Sequence, residues 1–263
     1  MIKVSDIARA IEDYAPLNLQ ENWDNSGLQV GHRDAQVVAV LCSVDVTPAV
    51  VDEAIALGAN MIVAHHPLIF KGLKNLTAEN EVQLAVENAI RNGIAIYSSH
   101  TSLDNAENGV SVMMAERIGA KVLAPLVPTA PNADTGTGVV AVLPTPVTPE
   151  HFIALAKNAF GTPTARCSNP TLCAPKISRV ALCGGAGGSF IEDAVRAGAE
   201  AYVTGDIRYH DFVDNGKRIL LVDCGHFETE SLTRGAFRDI ISQKFPELSV
   251  YISKSENNPV KYL

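Results

Sequence analysis

Short apolar runs alternate with helix-period segments through the first half of the chain, and few architectures accept that rhythm. VVAVLCSV gives way to TPAVVDEAIALG, then ANMIVA, then EVQLAVENAIRNG, then IAIYSS. The runs read as buried strands and the segments between them as helices, which is the pattern of βαβ units on a largely parallel sheet. The helices carry their own punctuation: Thr47 and Pro48 as cap and first-turn proline, and Gly58 and Gly93 just past the last turn.

The rhythm then repeats. Setting EAIALGANMIVAHH, which starts at Glu53, against DAVRAGAEAYVTGD, which starts at Asp193, gives an ungapped match at a shift of 140 positions. The match runs on into the next strand, where IAIYSSHTSLD parallels LLVDCGHFETE and sets His100 and Asp104 opposite His226 and Glu230. Such doubling implies an internal duplication with two similar α/β halves. Between Ala124 and Pro149, proline, small and polar residues gather around one short β-like run, and the boundary is expected there. The first half is thus expected at residues 1–124 and the second at residues 125–263, with room for segments to be exchanged between them.

In parallel α/β sheets the ligand crevice lies outside the carboxyl ends of the strands, and there the unusual residues of this chain fall. His65 and His66 end one apolar run in VAHHPLIF, His100 and Asp104 follow the next, and His226 and Glu230 follow its counterpart. Neighbouring side chains on a regular strand face opposite ways, but Pro67 cannot continue the ladder and forces a turn that lets both rings swing toward one crevice. If Gly225 is followed by a helix, His226 and Glu230 lie one turn apart on one face and can serve one cation. One histidine at a strand end is ordinarily a structural residue; the doubled His/acid pattern points to metal. Three or four imidazoles with two carboxylates exceed what one tetrahedral ion needs and suit two divalent ions, each keeping a place for water. Nitrogen and oxygen donors without thiolate favour zinc, manganese, iron, cobalt or nickel over calcium.

Other classes are disfavoured. A formal net charge of −8 without a Lys/Arg cluster argues against a nucleic-acid partner. The N-terminus lacks an apolar signal-like region, and no window approaches the roughly 18 apolar residues of a membrane helix, so a soluble, cytoplasmic protein is expected. Five cysteines without a CxxC pair suit a reducing compartment, with Cys42, Cys183 and Cys224 read as buried small residues.

Taken together, ENWDNSGLQVG, AHHPLIF, SSHTSLDNAENGV and DCGHFETE resemble the Nif-three-like dinuclear metal family, also labelled GTP cyclohydrolase I type 2 homologues, in order and across essentially the whole chain. The resemblance implies two metals held by His65, His66, Asp104, His226 and Glu230. It also implies two similar, intertwined α/β domains with largely parallel or mixed sheets, a metal site between them, and a toroidal homohexamer. The activity implied is hydrolytic opening of the GTP imidazole ring with loss of formate; a two-metal phosphoesterase and a metal-delivery or regulatory protein without turnover are the alternatives. In the enzyme reading, paired cations activate water for attack at C8 of guanine, and His100 is the proton donor or acceptor, or else orients a ligand.

Three further stretches have two readings each. LCGGAGGSFIEDAV, from Leu182, reads as a tight strand-to-helix turn, with a phosphate-binding loop as the alternative. ENWDNSGLQVG, with the single tryptophan, Trp23, reads as an Asx-type turn feeding a strand, or as a loop that orients substrate through Asp24 and Asn25. Asp206, opposite His66 in the repeat, is expected to cap a helix rather than to support a ligand.

Overall fold

The computed structural model describes residues 1–261. In chain order it forms α1 (Val4–Tyr14), β1 (Gly27–Val30), β2 (Ala39–Ser43), α2 (Pro48–Leu57), β3 (Met61–Ala64), α3 (Glu81–Arg91), β4 (Ala95–Ser98) and α4 (Thr101–Asp104). Then follow α5 (Val110–Arg117), β5 (Lys121–Pro128), β6 (Gly136–Val147), α6 (Pro149–Phe160), β7 (Arg166–Cys167), β8 (Ile177–Ala186), α7 (Ile191–Arg196), β9 (Ala201–Gly205), α8 (Tyr209–Asn215), β10 (Leu220–Asp223) and α9 (His226–Glu230). The last elements are α10 (Thr233–Lys244) and β11 (Ser249–Ile252). Two compact units result, one from Met1–Leu103 and Thr233–Asn257, the other from Asp104–Leu232 and the residues from Asn258 on.

The first unit carries a sheet in the order β1-β4-β3-β2-β11. Its strands β11, β2, β3 and β4 are parallel, and β1 joins the β4 edge antiparallel. Every residue of β2, β3 and β4 is buried, as the continuous apolar runs require when helices cover both faces. On one face, Val50, Val51 and Ala54 of α2 and Ala85, Val86 and Ala89 of α3 pack on Leu41, Ile62 and Ile96. On the other lie α1 and α10, which bury Ile7, Ile11, Phe237 and Ile241. The expected caps form: Thr47 accepts from the Val50 amide, and Gly58 closes α2 in the left-handed region at φ 67°.

The second unit holds the order β5-β6-β8-β9-β10-β7. Here β8, β9 and β10 are parallel, β7 joins β10 antiparallel, and β6 joins β8 antiparallel. The duplication read from the sequence is thus a duplication of topology: β2-β3-β4 with antiparallel β1 corresponds to β8-β9-β10 with antiparallel β7. It holds down to single hydrogen bonds. Ala59 N bonds Ala54 O at 2.9 Å past left-handed Gly58, and 140 positions on, Ala199 N bonds Ala194 O at 3.1 Å past left-handed Gly198. The two sheets flanked by helices agree with the α/β class expected.

Two features were not visible in the residue pattern. The proline-rich stretch from Ala124 is no linker: it forms the hairpin of β5 and the twelve-residue β6, and the compact units divide at Leu103/Asp104 instead. Its prolines are tolerated because Pro125 and Pro128 lie on the edge strand, while Pro144 and Pro146 fall where the β6–β8 register slips between Val142 and Val147. The chain also returns to the first unit at its end, where β11 adds to β2.

That return is latched by Glu53 of α2. Its carboxylate accepts from the Ser253 hydroxyl at 2.6 Å, the Lys254 amide at 2.9 Å and the Ser255 hydroxyl at 2.7 Å. Burial raises its pKa, but the hydrogen bonds outweigh that and bring it from 4.5 to about 2. A carboxyl depressed on folding stabilises above its unfolded pKa and loses that contribution as pH falls through the folded value. Glu53→Gln should therefore cost about 1–2 kcal/mol at neutral pH in urea unfolding. The gap to the unsubstituted protein should close as pH falls from about 4.5 to about 2.

Candidate functional site

In the first unit the parallel ladder carries past the end of β3. The His65 amide bonds Ser43 O at 3.2 Å and the His66 amide bonds Val44 O at 2.8 Å before Pro67 ends the run. The backbone thus enters the bend in fixed register. Both rings then turn to one side, their centroids 5.1 Å apart, and His100, just beyond β4, stands 5.3 Å from each. One ligand nitrogen of each histidine lies within 4.8 Å of the other two.

The Nδ1 atom of every ring faces an acceptor. His65, whose side chain is wholly buried, bonds the Ser99 carbonyl at 3.0 Å. His66 bonds Asp45 and His100 bonds Asp24, each at 2.8 Å. A carbonyl can only accept, so Nδ1 of His65 carries a proton and Nε2 is the nitrogen left for a ligand. At His100 the Nδ1 atom faces Asp24, which is held ionised. Burial pushes its carboxyl up, but the hydrogen bonds from His100 and Thr101 outweigh this and keep it well below the usual carboxylate range. Asp24 also accepts from the Thr101 amide at 3.0 Å, so it caps α4 while orienting His100. Asp45 is braced in turn by Glu256, which accepts the amides of Val44 at 2.9 Å and Asp45 at 2.6 Å. A proton on Nδ1, bound to carbonyl or carboxylate, with the lone pair on Nε2, is the state in which histidines ligate metal.

The second unit bears the other candidates. Gly225 opens α9 at φ 94°, and on that helix His226 and Glu230 meet one turn apart, Nε2 to Oε2 at 3.0 Å. His226 Nδ1 bonds Asp206 at 2.8 Å. Asp206 thus supports a histidine and does not cap: the N-cap of α8 is Arg208. Among the described residues it is one of three non-glycine residues at positive φ, 54°, a conformation Asp tolerates better than most. Asp104, at the end of α4, brings a carboxylate oxygen within 4.8 Å of one from buried Glu230. Burial, with these two carboxylates adding to it, pushes the neighbouring Cys183 thiol up to about 12. Carboxylates so close, one of them buried, repel, and a divalent cation is the charge that suits them.

The glycine-rich turn acquires a physical reason. A Cβ on Gly185, which sits at φ 59°, would run into the carboxylate of Glu230 and stand 3.2 Å from His226 Nε2. The adjoining loop is filled from within: the Gly187 amide bonds Thr204 at 2.9 Å, and the Tyr202 hydroxyl bonds Gly187 O at 2.8 Å. It is a tight turn making way for the His/Glu pair. The strand ladders also show why Gly225 is there. Ser99 N bonds Ala64 O and Cys224 N bonds Thr204 O, equivalent positions, yet His100 follows one residue later and His226 two. Gly225 is the additional residue.

Asp24, Asp45 and Ser99 are the partners that motif reading had not assigned to the histidines. Cys42, Cys183 and Cys224 are buried free thiols, as expected. No helix among the described residues is long and apolar enough to cross a membrane.

The family model described as Duf34/NIF3 (NGG1p interacting factor 3) matches residues 2–259. A Clostridium acetobutylicum protein named GTP cyclohydrolase 1 type 2 homolog is 35% identical over 234 residues, 87% of this chain and 85% of its own. A Nostoc protein of the same name is 36% identical over 234 residues, 87% of each. Among solved structures, Staphylococcus aureus protein SA1388 shares the fold with a TM-score of 0.89 and 28% identity, over 100% of this chain and 99% of that one. Its sheets, its paired histidines and these relatives together establish that the chain belongs to the Duf34/NIF3 (NGG1p interacting factor 3) family.

Proposed function

We propose that this chain binds two divalent metal ions through His65, His66, Asp104, His226 and Glu230, and that it is a metal-dependent hydrolase of the GTP cyclohydrolase type. One observation carries the reading: all four histidines have Nδ1 on a carbonyl or carboxylate, at 2.8 to 3.0 Å, which leaves Nε2 as the atom each ring would offer a metal. His65 and His66 in one unit, and His226 with the carboxylates of Asp104 and Glu230 in the other, are donors suited to zinc, iron or manganese. Bound there, such ions would supply Lewis acidity that makes water a nucleophile near neutral pH and stabilises developing negative charge.

The protein side chains do the positioning. Asp45, Asp24, Asp206 and the Ser99 carbonyl fix tautomer and ring orientation, and Gly185 leaves the space in which Glu230 meets His226. His100 was expected to carry a proton in ring opening or to orient a ligand; its closeness to His65 and His66, with its ring held by Asp24, supports a place beside the metal ligands. The relatives' name, GTP cyclohydrolase 1 type 2 homolog, supports a guanine nucleotide as the substrate class; opening of its imidazole ring with release of formate is what the family resemblance implies. A cytoplasmic homo-oligomer, hexameric by the family resemblance, belongs to the same reading.

Metal analysis of the purified protein should return two ions per chain. Glu230→Gln should lower that content while leaving the unfolding transition in place; full metal content in this variant would remove Glu230 from the ligand set. Asp206→Asn keeps the shape but weakens the hold on His226, so metal affinity should fall about 10- to 100-fold in a competitive chelator titration. Product analysis with GTP tests the chemistry. Formate together with loss of the purine absorbance supports ring opening, inorganic phosphate indicates an esterase, and neither product from metal-loaded protein indicates a binding or delivery role.

A further inference from the structure

Two large apolar side chains stand in the open beside the histidines of the first unit. Trp23 is 59% exposed and Phe70 45% exposed. Their ring centroids are 6.0 Å apart, and each is also close to His100, Trp23 at 6.0 Å and Phe70 at 6.3 Å. The preceding residues of VAHHPLIF behave otherwise: Leu68 is buried and Ile69 packs on the core, so only Phe70 is turned outward. Nothing in the ligand set uses either ring.

Exposed aromatics on a loose loop would mean little, but these are held by polar bonds on both sides. Asp24, next to Trp23, has a side chain of 0% exposure tied to His100 and Thr101. The Glu21 amide donates to the Thr101 hydroxyl at 2.9 Å. Asn25 Nδ2 donates to the Ile69 carbonyl at 2.7 Å, beside Phe70, and Gln29 joins both segments, donating to Asn25 O at 2.6 Å and accepting from the Ile69 amide at 3.2 Å. One frame therefore sets Trp23, Phe70 and His100, and little ordering cost remains when a ligand arrives.

We infer that Trp23 and Phe70 form a stacking corner that receives the flat heteroaromatic ring of a small-molecule ligand and presents it to His100. The Trp23 and Phe70 planes are inclined by 58°. A planar ring laid on one of them meets the other at that same tilt, one face stacked and one contact inclined toward the edge, and both contacts are favoured by the ring quadrupoles. The amides of Asn25 and Gln29 are engaged in the frame itself, so the corner recognises a π-face and leaves the edge pattern unread, as stacking platforms for bases do. Its ligand class is therefore a purine or similar fused ring, with preference set by ring area. This inference rests on the reading that the histidine cluster is the reacting centre, and it assigns the residues that would hold the ring there.

Trp23 is the single tryptophan of the chain, so its fluorescence reports the corner directly. Titration of the purified full-length protein with guanosine and with adenosine should quench that emission saturably, whereas ribose 5-phosphate should leave it unchanged. Phe70→Leu keeps the reporter and removes one wall; its nucleoside affinity should fall about 5- to 100-fold, the range of a lost stacking contact, with metal content unaltered. Equal quenching by ribose 5-phosphate, or undiminished affinity in Phe70→Leu, overturns the inference. So does a Phe70→Leu protein whose sedimentation changes while its nucleoside affinity does not, because the rings would then cover a protein surface. The metal reading is judged separately: protein that holds metal without answering to nucleosides loses only the corner, and protein that binds nucleosides without holding metal loses only the centre.

Discussion

The site of the first unit depends on the parallel ladder continuing two residues beyond the strand it belongs to. With His65 N on Ser43 O and His66 N on Val44 O, the two histidines leave the sheet in fixed register, although the chain turns at Pro67. A one-residue slip of a strand moves its side chains to the other face. The buried apolar runs of β2 and β3 forbid such a slip, since no residue of either strand reaches solvent. Packing free energy spread over the core is thereby converted into the placement of two imidazoles, and the Ser99 carbonyl and the Asp45 carboxylate need only finish the orientation.

The second unit solves the same problem with different means. Its ladder also runs one residue past the strands, at Cys224, but Gly225 then enters the left-handed region and lets the chain start α9 on the histidine itself. On a helix, His226 and Glu230 meet because residues four apart share a face. The backbone around them is constrained to match: Asp206 sits at positive φ, and Gly185 is without a side chain where a Cβ would occupy the place of the Glu230 carboxylate.

What a reader of the sequence can see follows from the range of the interactions. The repeat, the strand ends, and the i, i+4 spacing of His226 and Glu230 are local patterns, legible because hydrophobic period and turn chemistry are local. The partners of the histidines are not local. Asp24 lies 76 positions from His100, and Asp45 lies 21 from His66. Nothing in the residues around an aspartate reports which imidazole it will meet, so Asp206 read as a cap and Asp24 as part of a turn. The Ala124–Pro149 stretch was misleading for a related reason. Proline marks a break in isolation, whereas an edge strand and a register slip, which only the assembled sheet defines, can absorb it.

The repeat also shows how the two halves diverged in chemistry. His66 and Asp206 are equivalent positions 140 apart; the first is a nitrogen donor, the second the acid that orients a donor. One half came to offer three imidazoles, the other a histidine with two carboxylates. Neutral nitrogens bind borderline cations through covalent preference but do nothing for their charge, whereas carboxylates neutralise the charge but admit hard ions as readily. Each unit keeps the strand-end geometry of the repeat and changes only the side chains carried there, so the two halves differ in donor chemistry while sharing one backbone plan.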